Sequence, residues 1–115
     1  MNHKVIYLLP LLAILGCATI PRVTDMEIQE AMKLKRDPAN GKIVYEKGCI
    51  FCHRERGEGG GVAAETLERS MSKRDEDLYK AIKEGAGSWM PPFSNMTAKD
   101  TVDVIKYIRD LFPEK

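Results

Sequence analysis

The sequence predicts a small all-α domain with three to five helices. Its 115 residues provide room for one domain around a single core. Apolar residues recur at helical spacing in several segments, and the chain lacks the runs of β-branched residues that predict buried strands. A hydrophobic fraction of 43% and a charged fraction of 30% are close to the averages of soluble globular proteins, so most of the chain should fold.

Residues 1–16 have the pattern of a signal peptide. Lys4 supplies a positive charge, and the following stretch, Val5 to Leu15, is apolar apart from Tyr7 and Pro10. This stretch is shorter than the about 20 residues that a permanent membrane helix needs. A buried helix is the alternative interpretation, but Pro10 and the lack of a polar face argue against it. We therefore expect the mature protein to be exported.

Cys17 follows Ile14-Leu15-Gly16, a sequence that resembles the lipobox of bacterial lipoproteins. The resemblance implies that Cys17 is acylated as the first residue of the mature chain, which would anchor the protein to the periplasmic face of a bacterial membrane. Cleavage near Ala18, giving a soluble periplasmic protein, is the alternative. A soluble protein that kept Cys17 would carry a free thiol in an oxidising compartment.

Residues 17–36 separate this cysteine from a domain that we place at residues 37–115. The spacing of their apolar residues predicts either a short helix or a tether that carries the domain away from the membrane. These apolar residues are Met26, Ala31, Met32 and Leu34.

The first helix of the domain is predicted to lead directly into a pair of cysteines. Asp37 can cap this helix, Pro38 suits its first position, and Gly48 is its expected stop. The next residue is Cys49.

Two more helices are predicted in the second half of the domain. One has a start signal at Ser72 and a stop at Gly85, with acidic residues in its first turn and Lys80 and Lys83 in its last. We expect its inner face to consist of Leu78, Ala81 and Ile82. The other has a capping box at Thr97-Ala98-Lys99-Asp100 and ends near Pro113. Its apolar residues at helical spacing are Val102, Val104, Ile105, Ile108 and Leu111.

The stretch Cys49-Ile50-Phe51-Cys52-His53 has the C-x-x-C-H pattern of covalent c-type haem attachment. Two thiols three positions apart on a tight helical turn can reach both vinyl groups of one porphyrin. The histidine that follows can then project its imidazole under the iron, which makes His53 the expected proximal ligand.

Three other uses of these cysteines are possible. A structural zinc site needs four ligands, and this segment provides only Cys49, Cys52 and His53. A thioredoxin-like dithiol needs a neighbouring strand in a βαβ unit, which the sequence does not predict. A plain disulfide is the third alternative.

The other axial ligand of a haem iron can be a methionine, a soft donor that raises the reduction potential. The candidates in the mature chain are Met26, Met32, Met71, Met90 and Met96. Met90 differs from the others because it lies in the stretch 85–93, here called the strap, whose glycines and prolines predict a non-helical segment. Pro91 favours extended geometry at Met90, and Pro92 stiffens the chain further, so the thioether can be held rigidly.

These residues together resemble the class I monohaem cytochromes c, over about residues 38 to 112. The resemblance implies one haem c with iron, bound covalently at Cys49 and Cys52, with His53 and Met90 as axial ligands. It also implies a small cytochrome c-like fold, in which the first and last helices cross at Gly41 and Tyr45 on one side and Val104 and Tyr107 on the other. The glycine-rich loop at 57–61 lacks the proline that often supports the proximal histidine, so another backbone carbonyl would have to orient His53.

The expected function is electron transfer in a bacterial respiratory or periplasmic redox chain, without enzyme activity and with redox proteins as partners. A haem-based gas sensor or a small haem enzyme with an open or labile sixth site is the alternative, and a lipoprotein with a disulfide is a third. The chain carries 18 basic and 17 acidic residues. Without residues 1–16, which contain only Lys4 among these, 17 of each remain. No basic arm is present, so we expect no nucleic-acid partner.

Overall fold

Five α-helices and one 3₁₀ helix form the regular structure in a computed structural model, which describes residues 22–60 and 65–114. The predicted signal peptide and Cys17 lie outside the described residues. The α-helices are α1 (Asp25–Met32), α2 (Pro38–Gly48), α3 (Ile50–His53), α4 (Asp75–Glu84) and α5 (Ala98–Leu111), and the 3₁₀ helix is Leu67–Ser72. Neither described range contains a strand, which confirms the all-α prediction. Within those ranges, no helix combines the length and the apolar character needed to span a bilayer.

The fold is organised around the crossing of α2 and α5, where the two backbones touch. A Cβ atom added to Gly41 would lie 2.6 Å from the carbonyl carbon of Asp103 and 2.9 Å from Cβ of Tyr107. One turn further along α2, the ring of Tyr45 is fully buried and packs against the ring of Tyr107 in a tilted arrangement, with a centroid distance of 5.3 Å and an interplanar angle of 56°. Val104 is also fully buried. The predicted crossing residues are therefore confirmed.

The ends of α2 and α5 follow the local signals in the sequence. The Asp37 side chain accepts hydrogen bonds from the Ala39 and Asn40 amides, and Pro38 occupies the first turn as predicted. At the start of α5, the Thr97 hydroxyl accepts from the Asp100 amide at 3.0 Å. The Asp100 side chain accepts from Asn40 Nδ2 instead of the Thr97 amide, so only half of the predicted capping box forms.

One prediction about α4 was wrong, and a second was right only for Ile82 and, in part, for Leu78, which packs against the core without being fully buried. Ser72 does not start this helix, because it is the last residue of the 3₁₀ helix, and α4 begins at Asp75. The buried residues of α4 are Tyr79 and Ile82, whereas Leu78 and Ala81 are only partly buried. Tyr79 was missed because an aromatic ring with a polar hydroxyl was not counted on the apolar face.

Helix α1 packs against α4 and α5 through its buried residues Ile28 and Ala31. Thr24 and Glu27 form a reciprocal capping box at its start. The Val23 amide donates to Glu84 Oε1 at 2.9 Å, so the start of α1 is tied to the end of α4. This part of the chain therefore lies against the domain.

Candidate functional site

The two cysteines and the histidine of the C-x-x-C-H motif lie on one helical turn. Cys49 follows the end of α2, and the single turn α3 carries Cys52 and His53. The His53 amide donates to the Cys49 carbonyl at 2.9 Å, which closes the turn over the motif. Cys49 is half-buried, Cys52 is exposed, and both thiols are free.

Burial controls the protonation state of Cys49. It raises the pKa of this thiol to about 11, because the thiolate would be poorly solvated at this position. An uncharged sulfur is therefore favoured here, and the thioether that joins a haem to a cysteine is uncharged. The site fits that linkage.

The surroundings of His53 favour its neutral form. Its pKa is lowered by burial, and the backbone of Glu65 acts more weakly in the opposite direction. The neutral form is the one that binds a metal. Nδ1 of His53 is buried and has no hydrogen-bond partner among the residues that the structure describes. No carbonyl of residues 57–60 accepts a hydrogen bond from this nitrogen, so the expectation that the 57–61 loop orients the ring is wrong for those residues and stays a prediction only for residue 61, which is not described.

The chain after His53 is held in a tight turn. Arg54 has a φ of 61°, a left-handed conformation that is uncommon for a residue with a side chain. The buried Tyr45 hydroxyl donates to the Arg54 carbonyl, and the Gly59 amide donates to the His53 carbonyl at 3.0 Å. The tyrosine at the crossing of α2 and α5 therefore also fixes the backbone directly behind the candidate ligand.

Met90 is fixed at its backbone by a two-way hydrogen-bonded bridge to Ala86. Each amide donates to the carbonyl of the other residue at 3.2 Å. Gly85 and Gly87 have φ values of 85° and 59°, which allow the chain to turn back on itself. The strap is non-helical, as predicted.

The end of the strap lies beside the end of α2. The Phe93 amide donates to the Ile82 carbonyl at 2.9 Å. A Cβ atom on Gly48 would lie 3.3 Å from the Phe93 ring, and Gly48 immediately precedes Cys49. Lys83 donates to the carbonyls of Ser94 and Met96, a role that the sequence did not indicate because a lysine in the last turn of a helix is usually solvated.

The sulfur atoms of two other candidate methionines lie beside guanidinium groups. Met71 Sδ lies 3.8 Å from Arg109 Nη1, and Met32 Sδ lies 3.5 Å from Arg36 Nη2. Met26 is 75% exposed on α1, while Met90 and Met96 are both partly buried, non-helical and packed against the core. Met90 differs from Met96 in the two-way backbone bridge to Ala86.

The residues present fit a haem group. Large apolar side chains are exposed next to both candidate segments, namely Phe51, at 80%, beside Cys52 and Trp89, at 70%, beside Met90. Each of these side chains would be stabilised if a large apolar group such as a porphyrin covered it. Among the described residues, no group of three or more His, Cys, Asp or Glu side chains is placed to hold a metal ion.

The chain is similar to one known family over most of its described length. The sequence model of the family described as cytochrome C oxidase, cbb3-type, subunit III, matches residues 36–108. The match includes α2 to α4, the strap and most of α5, and it starts after α1. Neither the curated proteins nor the solved structures include a match to the chain.

Proposed function

Because the chain belongs to the family of cytochrome c oxidase cbb3-type subunit III, we propose that it is a single-electron carrier whose haem iron is bound axially by His53 and Met90. As a c-type cytochrome domain, it binds haem c covalently through cysteine thioethers and functions in haem-based electron transfer. Our proposal concerns three further points, namely the ligand pair, the assignment to class I and the place of the protein in a redox chain.

The single helical turn that brings together Cys49, Cys52 and the half-buried imidazole of His53 is the observation that supports this proposal most strongly. Burial lowers the pKa of the imidazole, so the ring does not have to lose a proton before it binds iron. When bound, the haem supplies one-electron chemistry. Cys49 and Cys52 hold the group beside the imidazole, and the short α3 turn fixes their spacing.

Met90 contributes a thioether from a support that resists movement. The bridge to Ala86 holds its backbone on one side, and Pro91 and Pro92 restrict the chain on the other. A ligand that moves little between oxidation states keeps the reorganisation energy of electron transfer small, and a methionine ligand raises the reduction potential.

Substitution of the proposed ligand tests this function. In protein matured in a host that attaches haem c, Met90→Ala should abolish the methionine-to-iron charge-transfer band of the ferric spectrum and lower the reduction potential. The ferrous variant should also bind carbon monoxide rapidly, whereas the native ferrous protein should not. Met96→Ala is the matched control, because Met96 is a partly buried methionine that packs on the core, and it should leave these properties unchanged.

Two results would contradict the proposal. An unchanged spectrum in Met90→Ala would show that Met90 is not the ligand and would leave Met71 and Met96 as the candidates. Rapid carbon monoxide binding by the native ferrous protein would show an open or labile sixth site, as in a gas sensor or a small haem enzyme.

We also propose that the mature chain starts at an acylated Cys17 and delivers electrons within a membrane-bound respiratory chain. The lipobox-like sequence before Cys17 supports the anchor, and the match to an oxidase subunit family supports the respiratory role. Mass spectrometry of the mature amino terminus should find a lipid-modified Cys17, and Cys17→Ser should release the protein from the membrane. An unmodified start beyond Cys17 would make the protein soluble in the periplasm.

A further inference from the structure

We propose that Gly85 is a positioning residue for the Met90 ligand, because its lack of a side chain allows the Met90 peptide to sit against the end of α4. This inference rests on the proposed role of Met90 and identifies what sets the position of that ligand. Gly85 caps α4 and immediately precedes the Ala86–Met90 bridge.

The space around Gly85 is filled by the backbone of the strap. A Cβ atom at this position would lie 2.8 Å from the Met90 carbonyl oxygen, 3.1 Å from the Pro92 nitrogen and 3.3 Å from the Pro91 carbonyl carbon. All three are backbone atoms, so no side-chain rotation can relieve the contact. Pro91 and Pro92 have restricted φ angles, and they leave this backbone little freedom to move.

The conformation of Gly85 also excludes other residues. Its φ of 85° and ψ of 165° lie in a region that is essentially restricted to glycine. A residue with a side chain would have to change these angles, and the chain direction at Ala86 would change with them. The bridge that fixes the Met90 backbone would then be lost or displaced.

Gly87 provides a matched control within the same turn. Its φ is also positive, at 59°, but apart from Gly87 itself and its two chain neighbours, no atom of the described chain lies within 4 Å of the place where its Cβ would be. Gly87→Ala therefore adds a methyl group to the same turn without a collision, whereas Gly85→Ala adds a collision with the strap and a conformation that alanine rarely adopts. A comparison of the two variants shows whether residue 85 in particular, rather than any residue of the turn, positions Met90.

The test uses haem-loaded Gly85→Ala and Gly87→Ala. We expect Gly85→Ala to lose the methionine-to-iron charge-transfer band, to have a lower reduction potential and to bind carbon monoxide in the ferrous state. Gly87→Ala should keep the native spectrum, potential and slow carbon monoxide reaction. Far-ultraviolet circular dichroism should show that both variants retain the helical fold.

Amide hydrogen exchange of the ferrous protein gives a readout that does not depend on ligand chemistry. The Met90 amide should be protected in the native protein and in Gly87→Ala, and unprotected in Gly85→Ala. The native measurement stands even if Gly85→Ala does not mature. A native Met90 amide that exchanges as fast as the Trp89 amide, which has no acceptor within the described residues, would overturn the inference.

The outcomes separate this inference from the proposed function. If Met90→Ala changes the iron spectrum but Gly85→Ala behaves like Gly87→Ala, Met90 is the ligand and Gly85 does not position it. If Met90→Ala leaves the spectrum unchanged, the ligand assignment itself fails.

Discussion

Gly41 is the residue that allows α2 and α5 to cross with their backbones in contact. A methyl group in its place would overlap the Asp103 carbonyl group and crowd Cβ of Tyr107. The two helices would have to separate, and the packing of the Tyr45 ring against the Tyr107 ring would be disturbed. Since Tyr45 also donates to the Arg54 carbonyl, the effect should reach the turn that follows His53.

We expect Gly41→Ala to lower the free energy of unfolding by about 3 kcal/mol, the upper part of the usual range for overpacking a tight site. That corresponds to a decrease in Tm of roughly 12 °C or more for a domain of this size. Thermal unfolding of the haem-loaded protein, followed by circular dichroism, measures the change.

Gly48→Ala is the control for this prediction, because it places the same methyl group elsewhere on α2. Its Cβ would meet only the edge of the Phe93 ring, at 3.3 Å, and a ring can move by a few tenths of an ångström. We expect a much smaller change in Tm. Equal effects of the two substitutions would show that the contact at Gly41 does not limit the crossing.

The helices that sequence reasoning predicted well are those whose ends carry strong local signals. Asp37 followed by Pro38 defined the start of α2, and Thr97 defined the start of α5. These signals act through hydrogen bonds within one turn, so a single sequence contains the information.

The features that the sequence did not predict, or left open, depend on contacts between distant residues or on short-range geometry. Burial of Tyr79 depends on the packing of other helices against α4, and α1 gains its buried face only from α4 and α5. The 3₁₀ helix at Leu67–Ser72 is too short to give a periodic signal. The sequence therefore placed a helix start at Ser72, three residues before the observed one.

The haem c cofactor could be predicted from the sequence, but the backbone support of the candidate ligands could not. The C-x-x-C-H pattern and the Met-Pro-Pro stretch identified Cys49, Cys52, His53 and Met90 as candidates. The Ala86–Met90 bridge depends on the φ angle of Gly85, and a sequence shows that a glycine is present without showing the conformation it adopts. The hydrogen bonds that Lys83 donates to the Ser94 and Met96 carbonyls likewise depend on the folded path of the chain, which a sequence does not show.

Asp75 joins three parts of the molecule through two arginines. Arg36, in the link between α1 and α2, donates to one carboxylate oxygen, and Arg109 of α5 donates to the other at 3.0 Å. Arg109 also donates to the carbonyls of Met71 and Lys73, at and just after the end of the 3₁₀ helix. The three charged side chains are each about one-quarter exposed, so solvent screens their attraction only in part.

This cluster should make the stability of the protein depend on pH in the acid range. Burial alone would raise the pKa of Asp75, but the hydrogen bonds and charges of Arg36 and Arg109 outweigh it and hold the pKa below its ordinary value of 3.8. The folded state therefore binds a proton less readily than the unfolded chain does. The stabilisation is fully present above the unfolded pKa and is lost as the pH falls through the folded one.

We expect Asp75→Asn to lower the free energy of unfolding by about 1 to 2 kcal/mol at pH 7, between the values for exposed ion pairs and for buried charged hydrogen bonds. The difference from the native protein should shrink as the pH falls below about 4, because the native carboxyl then becomes neutral as well. Denaturant unfolding of the haem-loaded proteins at a series of pH values measures it, and comparing variants cancels the titration of the iron ligands.

Asp77→Asn is the matched control for this pH series. Asp77 lies in the same first turn of α4 and pairs with Arg74 at 3.0 Å, so both substitutions remove a negative charge near the same helix terminus. The Asp77–Arg74 pair is exposed, and solvent should leave it with little effect on stability. The prediction would be contradicted if the loss in free energy of unfolding caused by Asp75→Asn stayed constant down to pH 3. It would also be contradicted if that loss were no larger than the loss caused by Asp77→Asn. Either result would show that the charge of Asp75 does not hold these segments together.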